Sequence, residues 1–173
     1  MTGAGERRVV VIGVGNEFRR DDGIGPEVLS RLREHLAAGP DAGAGTTVRL
    51  VHTDGEPADM IEAWTGASLA VVVDAVVADP PCPGRVHRIA VGPGEVPGGH
   101  GVSSHGLGVG EAIGLAAALG RMPDHLVVHA VEAGDVGHGV GLTPAVSAVA
   151  ASLTGAVLRE VQAALGQSRA QRR

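Results

Sequence analysis

The chain has 173 residues, which is the length of one domain when a domain averages roughly 150 residues. Its formal net charge is −5, and every one of its 14 basic residues is an arginine, so DNA binding, a lysine Schiff base and a phosphate-loop lysine are all disfavoured. Phe18 and Trp64 are its two aromatic residues, which argues against the base-stacking surfaces of RNA-binding domains. We therefore expect no nucleic-acid partner.

Cysteine content and apolar runs indicate the compartment. The single cysteine, Cys82, cannot form an internal disulfide or a cysteine-rich zinc site, which is typical of a reducing environment. The apolar run at 9–14 is too short for a signal-peptide core or a bilayer span, and the run at 69–73 has the length of a strand. We therefore expect a cytoplasmic protein that does not insert into a membrane.

The first half of the chain alternates β-branched runs with helical patterns. Residues 7–13 (RRVVVIG) predict a buried strand, and a glycine-rich turn then leads to a polar loop that ends in Asp21-Asp22-Gly23. Apolar residues at helical spacing predict a helix over 24–36. A strand over 46–53, a helix over 57–64 and a very apolar strand over 68–77 follow, with Asp74 near the end of the last strand.

The second half continues this alternation. Residues 84–91 alternate in the manner of an edge strand, and the glycine-rich stretch 92–101 predicts a loop. A helix over 106–119 and a strand over 125–131 come next. The final helix begins at Thr143-Pro144, where threonine is a favoured cap and proline a favoured first residue.

Strands that alternate with helices predict an α/β fold, specifically a three-layer α/β/α sandwich with a mainly parallel sheet of about five strands. We expect one domain over 1–173, with its core at about 8–165 and flexible ends at 1–6 and 167–173. In such folds the functional site lies at the carboxyl ends of the strands.

Two acidic positions and one histidine are expected at that edge. Asp21-Asp22 precedes a helix, and although one aspartate can cap that helix, the second is left free. Asp74 lies among valines, where an unpaired charge is costly, so it either bonds loop amides or acts as a ligand or catalytic carboxylate. His105 precedes the 106–119 helix. Two carboxylates and an imidazole suit a borderline divalent metal, so Asp22, Asp74 and His105 form a candidate ligand set.

The first turn also suggests dinucleotide binding. In Gly13-Val-Gly-Asn-Glu-Phe18, however, the third glycine of the fingerprint is replaced by Phe18, and the helix begins only after a polar loop. Asp54 stands where a ribose-binding acid would follow the second strand. The chain has no Gly-x-Ser-x-Gly and no His-Glu-x-x-His motif, and His87 is interpreted as an ordinary strand position.

Four segments, taken in order, resemble the hydrogenase maturation proteases, the endopeptidases that process the large subunit of nickel–iron hydrogenases. The segments are Ile12-Gly-Val-Gly-Asn16 with Asp21-Asp-Gly-Ile-Gly25, then Asp54-Gly55, then Val73-Asp-Ala75, and then Ser104-His-Gly-Leu-Gly108. The stretch Val131-Glu132 followed by Gly141-Leu-Thr-Pro144 is also similar to the family. The resemblance extends over about residues 8–165.

This resemblance implies removal of the C-terminal extension from a nickel–iron hydrogenase large-subunit precursor after nickel insertion. Asp22, Asp74 and His105 would contact the nickel, which the substrate supplies, and the isolated protein would hold no metal or another divalent ion. Asp22 and Asp74 would be the catalytic residues of a metal-assisted hydrolysis in which an aspartate is the base. We expect the substrate-binding loop to comprise Asn16, Asp21, Asp54 and Gly55.

Two other functions stay open at this point. A protein with the same fold can bind the large subunit and sense its metal without cutting it, because fold does not determine function. A nucleotide-binding oxidoreductase is the weaker alternative, since it depends on the incomplete glycine fingerprint.

Overall fold

The computed structural model describes residues 7–38, 46–95 and 107–170. In these residues strands and helices follow the predicted order, and a short 3-10 turn at Arg20–Gly23 precedes the first helix. The elements are β1 (Arg7–Val14), α1 (Ile24–Ala38), β2 (Thr46–Thr53), α2 (Pro57–Trp64), β3 (Leu69–Val76), β4 (Val86–Val91), α3 (Leu107–Leu119), β5 (Leu126–Glu132) and α4 (Pro144–Ala170).

The five strands form one sheet in the order β2-β1-β3-β5-β4. Strands β2, β1, β3 and β5 are parallel to one another, and β4 pairs antiparallel with β5 at the edge of the sheet. Val11 at the centre of β1 is paired with Leu50 on one side and Val71 on the other. The predicted mainly parallel sheet and the predicted edge strand are both confirmed.

Side chains of the central strands alternate between two cores. Val9 and Val11 pack with α1 and α4, whereas Val10 and Ile12 pack with α2 and α3. All four valine and isoleucine side chains are fully buried. Burying each one stabilises the fold by roughly 1.5–3 kcal/mol, which explains why an uninterrupted β-branched run occupies the middle of the sheet. The three-layer α/β/α sandwich is therefore confirmed.

Helix α4 ends later than predicted, and the predicted first residue of α3 lies outside the described residues. Helix α4 continues to Ala170, so the tail predicted to be flexible from 167 is helical for four more residues. Neither a proline nor a left-handed glycine stops it, and Gln, Arg and Ala are good helix formers. Gly106, the end at 1–6 and residues 171–173 lie outside the described residues. Among the described helices, none combines the length and the apolar content needed to cross a bilayer.

The strand order creates a topological switch point between β1 and β3, at the carboxyl edge of the sheet. Strand β1 lies between β2 and β3, so the connection through α1 leads away from β1 on one side and the connection through α2 returns to its other side. The loops that leave the carboxyl ends of β1 and β3 consequently diverge. In open α/β sheets this switch point is where ligands bind.

Candidate functional site

The turn after β1 holds the Asp22 carboxylate above the end of that strand. Gly15 has φ +122°, and a side chain there would run into the backbone carbonyl of Asp22. The Asn16 amide donates a hydrogen bond of 2.9 Å to Asp22 Oδ2, and the Phe18 amide donates one of 2.9 Å to Asn16 Oδ1. The glycine thus permits the chain to fold back, and the two hydrogen bonds fix the orientation of Asp22.

Asp74 lies at the carboxyl end of β3, where its side chain is only 7% exposed. Burial raises the pKa of Asp74, and the charge of the neighbouring Asp22 raises it further, while a hydrogen bond from the Ala75 amide lowers it. The net effect is a pKa of about 7. The structure thus brings Asp22 and Asp74, which are 52 positions apart in the sequence, into electrostatic contact at the switch point.

The carboxylates of Asp22 and Asp74 could together bind a cation. Their mutual repulsion raises the pKa of Asp74, and a divalent ion between them would relieve it because it attracts both ionised groups. Within residues 7–38, 46–95 and 107–170, no third His, Cys, Asp or Glu completes a metal-holding cluster with them. His105, the third predicted ligand, lies outside the described residues.

The first turn of α3 reaches the same edge of the sheet. A side chain at Gly108 would run into the backbone carbonyl of Gly55, so the two backbones are in direct contact. Gly55 has φ +105° and lies just after β2, where its amide donates to Thr53 Oγ1 at 3.2 Å. The contact requires glycine at position 108, and it brings the start of α3 to the carboxyl ends of β1 and β2.

Asp21 has a different role from its neighbour. Its side chain is 0% exposed, and it accepts hydrogen bonds of 2.8 and 3.0 Å from the amides of Gly134 and Asp135. The Thr143 amide and hydroxyl donate two more, at 2.7 and 2.8 Å. Burial alone would raise the pKa of Asp21, but these bonds outweigh it and the pKa is lowered. The prediction that Asp21 contacts the substrate is therefore corrected, because its carboxylate is enclosed and fully bonded.

The three other predicted loop residues lie at the site edge. Asn16 is exposed, although its side-chain oxygen is engaged in the turn. Asp54 is exposed directly after β2, and Gly55 follows it. These positions therefore line the carboxyl ends of β1 and β2, next to Asp22.

A third buried carboxylate, Glu132 at the end of β5, was not among the residues predicted for the site. It accepts a hydrogen bond of 2.6 Å from the Cys82 amide and lies 2.7 Å from His87 Nε2, so His87 is a specific partner and not an ordinary strand position. The His87 bond is the largest cause of the lowered pKa of Glu132, followed by the Cys82 amide. An acid that ends an apolar strand was the available signal, as it was for Asp74.

The geometry disfavours dinucleotide binding. The space above Gly15 that a pyrophosphate would need is filled by the Asp22 backbone. Helix α1 begins at Ile24, after the 3-10 turn, and the acids Asp21 and Asp22 immediately precede it. Two carboxylates at a helix N-terminus oppose the binding of a phosphate there.

A groove of about 660 Å³ lies at the opposite edge of the sheet. Its lining includes Arg8, Arg88, Asp124 and His125, which stand at the amino ends of β1 and β5 or on β4. None of the described residues predicted for the site contributes to it. The groove is therefore separate from the carboxylate pair.

Fold and site together define an α/β sandwich with paired carboxylates at its switch point, a chemistry suited to holding a divalent cation. The sequence profile of the hydrogenase maturation protease family (HycI) matches residues 26–160. The chain belongs to this family. The matched segment includes Asp74 and begins just after Asp22.

Individual relatives are consistent with that assignment. The hydrogenase expression/formation protein HupD of Thiocapsa roseopersicina is 30% identical over 127 residues, which are 72% of this chain and 53% of that protein. The match therefore spans about half the length of HupD. Among solved structures, the Escherichia coli endopeptidase HybD has a TM-score of 0.67 at 23% identity, with 90% of this chain and 92% of that chain covered. HybD of Thermococcus kodakarensis has a TM-score of 0.62 at 22% identity, with 88% and 97% covered. These likenesses support the fold.

Proposed function

We propose that this protein is an endopeptidase that removes the C-terminal extension of a nickel–iron hydrogenase large-subunit precursor after nickel has been inserted. Membership of the hydrogenase maturation protease family supports the class of reaction. The observation that carries the site assignment is the pair of carboxylates, Asp22 and Asp74, at the switch point of the sheet.

In this proposal Asp22, Asp74 and His105 contact the nickel of the precursor, so cleavage depends on the metal being present. The nickel is part of the substrate, and the isolated protein is free of it or holds another divalent ion. Two carboxylates and one imidazole form a donor set that suits a borderline divalent metal. His105 is three positions before Gly108, whose backbone contacts Gly55 at the site edge, and this supports its inclusion.

The same two aspartates are proposed to be catalytic. Hydrolysis requires that a water oxygen bond to the carbonyl carbon, that the water proton pass to a base and that the leaving amine receive a proton. We assign the base to one of the pair, Asp22 or Asp74. The placement of both carboxylates at the switch point, where the nickel would lie, supports this assignment.

The extended tail of the precursor is proposed to run along Asn16, Asp54 and Gly55. Asn16 and Asp54 are exposed at the carboxyl ends of β1 and β2. Gly55 has a left-handed conformation that favours glycine, and without a side chain it leaves space at this edge of the sheet. The cytoplasmic location of the protein, which we expect from the sequence, stays a prediction.

The decisive experiment incubates the purified protein with nickel-loaded precursor and follows the precursor mass by mass spectrometry. We expect loss of a C-terminal peptide with the nickel-loaded form and none with the nickel-free form. Asp22→Asn, Asp74→Asn and His105→Ala should each abolish cleavage. Asp124→Asn and His125→Ala, which change the same residue types at the groove on the opposite edge, should cleave normally.

A second outcome would contradict the peptidase function. If the wild-type protein captures the precursor but its mass stays unchanged, the chain is a metal-sensing or chaperone module of the same fold. If Asp124→Asn is as inactive as Asp74→Asn, the site assignment is wrong even though the protein cleaves.

A further inference from the structure

The buried Asp21 connects two segments that are far apart in the sequence. It belongs to the turn between β1 and α1, and all four groups that donate hydrogen bonds to it lie in the connection between β5 and α4. We call residues 133–143 the β5–α4 loop. The Asp21 amide also donates to the Asp135 carbonyl at 3.0 Å, so the backbone of the turn and the loop are joined as well.

A further set of bonds joins the two segments on the solvent side of Asp21. The Gly139 amide donates to the Phe18 carbonyl, and the Arg20 amide donates to the Gly139 carbonyl, each at 2.9 Å. Arg20 itself has φ +47°, an unfavourable conformation for a residue other than glycine. Its Nε is 3.2 Å from the Asp135 carboxylate. The loop thus holds the turn in a conformation that the isolated turn would not favour.

We propose that Asp21 and Thr143 are positioning residues: through their hydrogen bonds the β5–α4 loop sets the orientation of the adjacent Asp22 carboxylate toward Asp74. This inference rests on the proposed function for its catalytic consequence, but its structural content is independent of it. Asp22 follows Asp21 directly, and its own carboxylate is bonded to the Asn16 amide. A shift of the Asp21 backbone therefore moves the Asp22 backbone and disturbs the hydrogen bond between the Asp22 carboxylate and the Asn16 amide.

Four donors surround the Asp21 carboxylate, and this explains why an acid is required there. A carboxylate accepts at both oxygens, whereas an asparagine would direct an N–H₂ donor at one set of N–H or O–H donors. Asp21→Asn should therefore disturb the turn more than the loss of one charge implies. Thr143→Val removes the single hydroxyl bond of 2.8 Å and keeps the side-chain shape, which makes it the milder test.

The primary experiment measures hydrogen exchange of the Asn16 amide by NMR. Asn16 is exposed, and its amide is bonded to Asp22 Oδ2, so its protection reports the position of the Asp22 carboxylate. In Thr143→Val we expect this amide to exchange about tenfold faster, the effect of losing roughly one hydrogen bond. Thr143→Ser, which keeps the hydroxyl, should stay within twofold of wild type.

Catalysis supplies the second measurement. If misplacement of a catalytic group by about 1 Å costs about 100-fold, Asp21→Asn should lower kcat by that order and leave KM for the precursor within about twofold. Asp124→Asn removes an exposed carboxylate at the opposite edge of the sheet and leaves the Asp21 bonds in place, so its kcat should stay close to wild type. Circular dichroism establishes that each variant is folded.

The two measurements distinguish the ways in which the inference can fail. Unchanged Asn16 exchange in Thr143→Val, with faster exchange at Gly134, would show that Thr143 merely holds the loop, and the positioning role would be wrong. A wild-type protein that does not cleave would overturn the proposed function, and the Asn16 exchange would still decide whether the loop positions Asp22. A parallel rise of KM and fall of kcat in Asp21→Asn would also contradict the positioning role.

Discussion

Asp74 is buried at the end of β3, and the Asp22 carboxylate lies close enough for its charge to raise the pKa of Asp74 beyond the effect of burial. The resulting value of about 7 means that the ionised form of Asp74 is costly in the metal-free fold. Such a cost is typical of carboxylates that hold a ligand or react, whereas Asp21, which is enclosed by the protein, is supplied with enough donors to lower its pKa.

This relationship predicts a pH-dependent stability. The pKa of Asp74 is raised on folding from 3.8 to about 7, so the folded protein keeps the proton longer and stability falls as pH rises between these values. Asp74→Asn should therefore stabilise the metal-free protein by up to about 4 kcal/mol at pH 8. At pH 5 the gain should be only about 2 kcal/mol.

Urea denaturation with a chelator present at pH 5 and pH 8 measures both values. Asp124→Asn, which removes an exposed aspartate at the opposite edge of the sheet, serves as the control for the loss of one carboxylate. An equal gain for Asp74→Asn at the two pH values would contradict the raised pKa.

Gly25 predicts a steric limit at the start of α1. A Cβ there would run into the Val14 backbone and lie 2.9 Å from the Val73 carbonyl, so it would press on the ends of β1 and β3 at once. Gly25→Ala should destabilise the protein by about 3 kcal/mol or more, because neither strand can move without opening the site.

Thermal unfolding compares it with Gly114→Ala in α3. Among the described residues, no atom outside the adjacent backbone of α3 lies within 4 Å of a Cβ at position 114, so alanine there should stabilise the helix by about 0.5–1 kcal/mol. A Gly25→Ala variant with the wild-type Tm would show that helix α1 leaves room for a methyl group between Gly25 and the ends of β1 and β3.

Glu132 predicts local order in the connection between β3 and β4. Because Glu132 accepts from the Cys82 amide at 2.6 Å, Glu132→Met, which keeps a long side chain but has no strong acceptor, should speed hydrogen exchange of that amide by about tenfold. The pKa of Glu132 is lowered by His87 and by that amide, so its contribution to stability is present above the ordinary value of 4.5 and is lost as pH falls below it.

Glu160→Met is the matched control. It breaks a surface ion pair between Arg88 on β4 and Glu160 on α4, and such pairs contribute about 0–1 kcal/mol. Exchange at Cys82 should stay unchanged in this variant. Faster Cys82 exchange in both variants would indicate a general loosening of β4 and β5 and not a specific role of Glu132.

His129 predicts acid sensitivity of the core. It is 2% exposed on β5, and its Nε2 has no hydrogen-bond partner among the described residues. Burial lowers the pKa of His129, against the opposing effect of Glu160, so the unfolded chain takes up a proton first as pH falls through 6.5. His129→Leu should therefore gain more stability relative to wild type at pH 5 than at pH 7.5.

Urea unfolding at those two pH values checks this, with the exposed His125→Leu as the reference for a histidine that is solvated in both states. A pH-independent difference for His129→Leu would mean that folding does not lower the pKa of His129.

Much of the site was predictable from residue types in their local setting. The run of valines around Asp74 predicts a buried strand, and an acid inside it stands out because burial of an unpaired charge is costly. Two adjacent aspartates at 21 and 22 exceed the need of one helix cap. Which of the two is free could not be inferred, because the partner of Asp21, Thr143, is 122 positions away.

The sequence by itself determined the alternation of strands and helices, and hence a parallel sheet whose carboxyl edge carries the site, because β-branched runs and helical spacing are local signals. It also determined the family resemblance. The tertiary structure alone decided that Asp21 is enclosed while the charge of Asp22 acts on Asp74, and that Glu132 bonds Cys82 and His87. Hydrogen bonds and charge interactions depend on distances that close only when remote strands pair, and no local pattern records them.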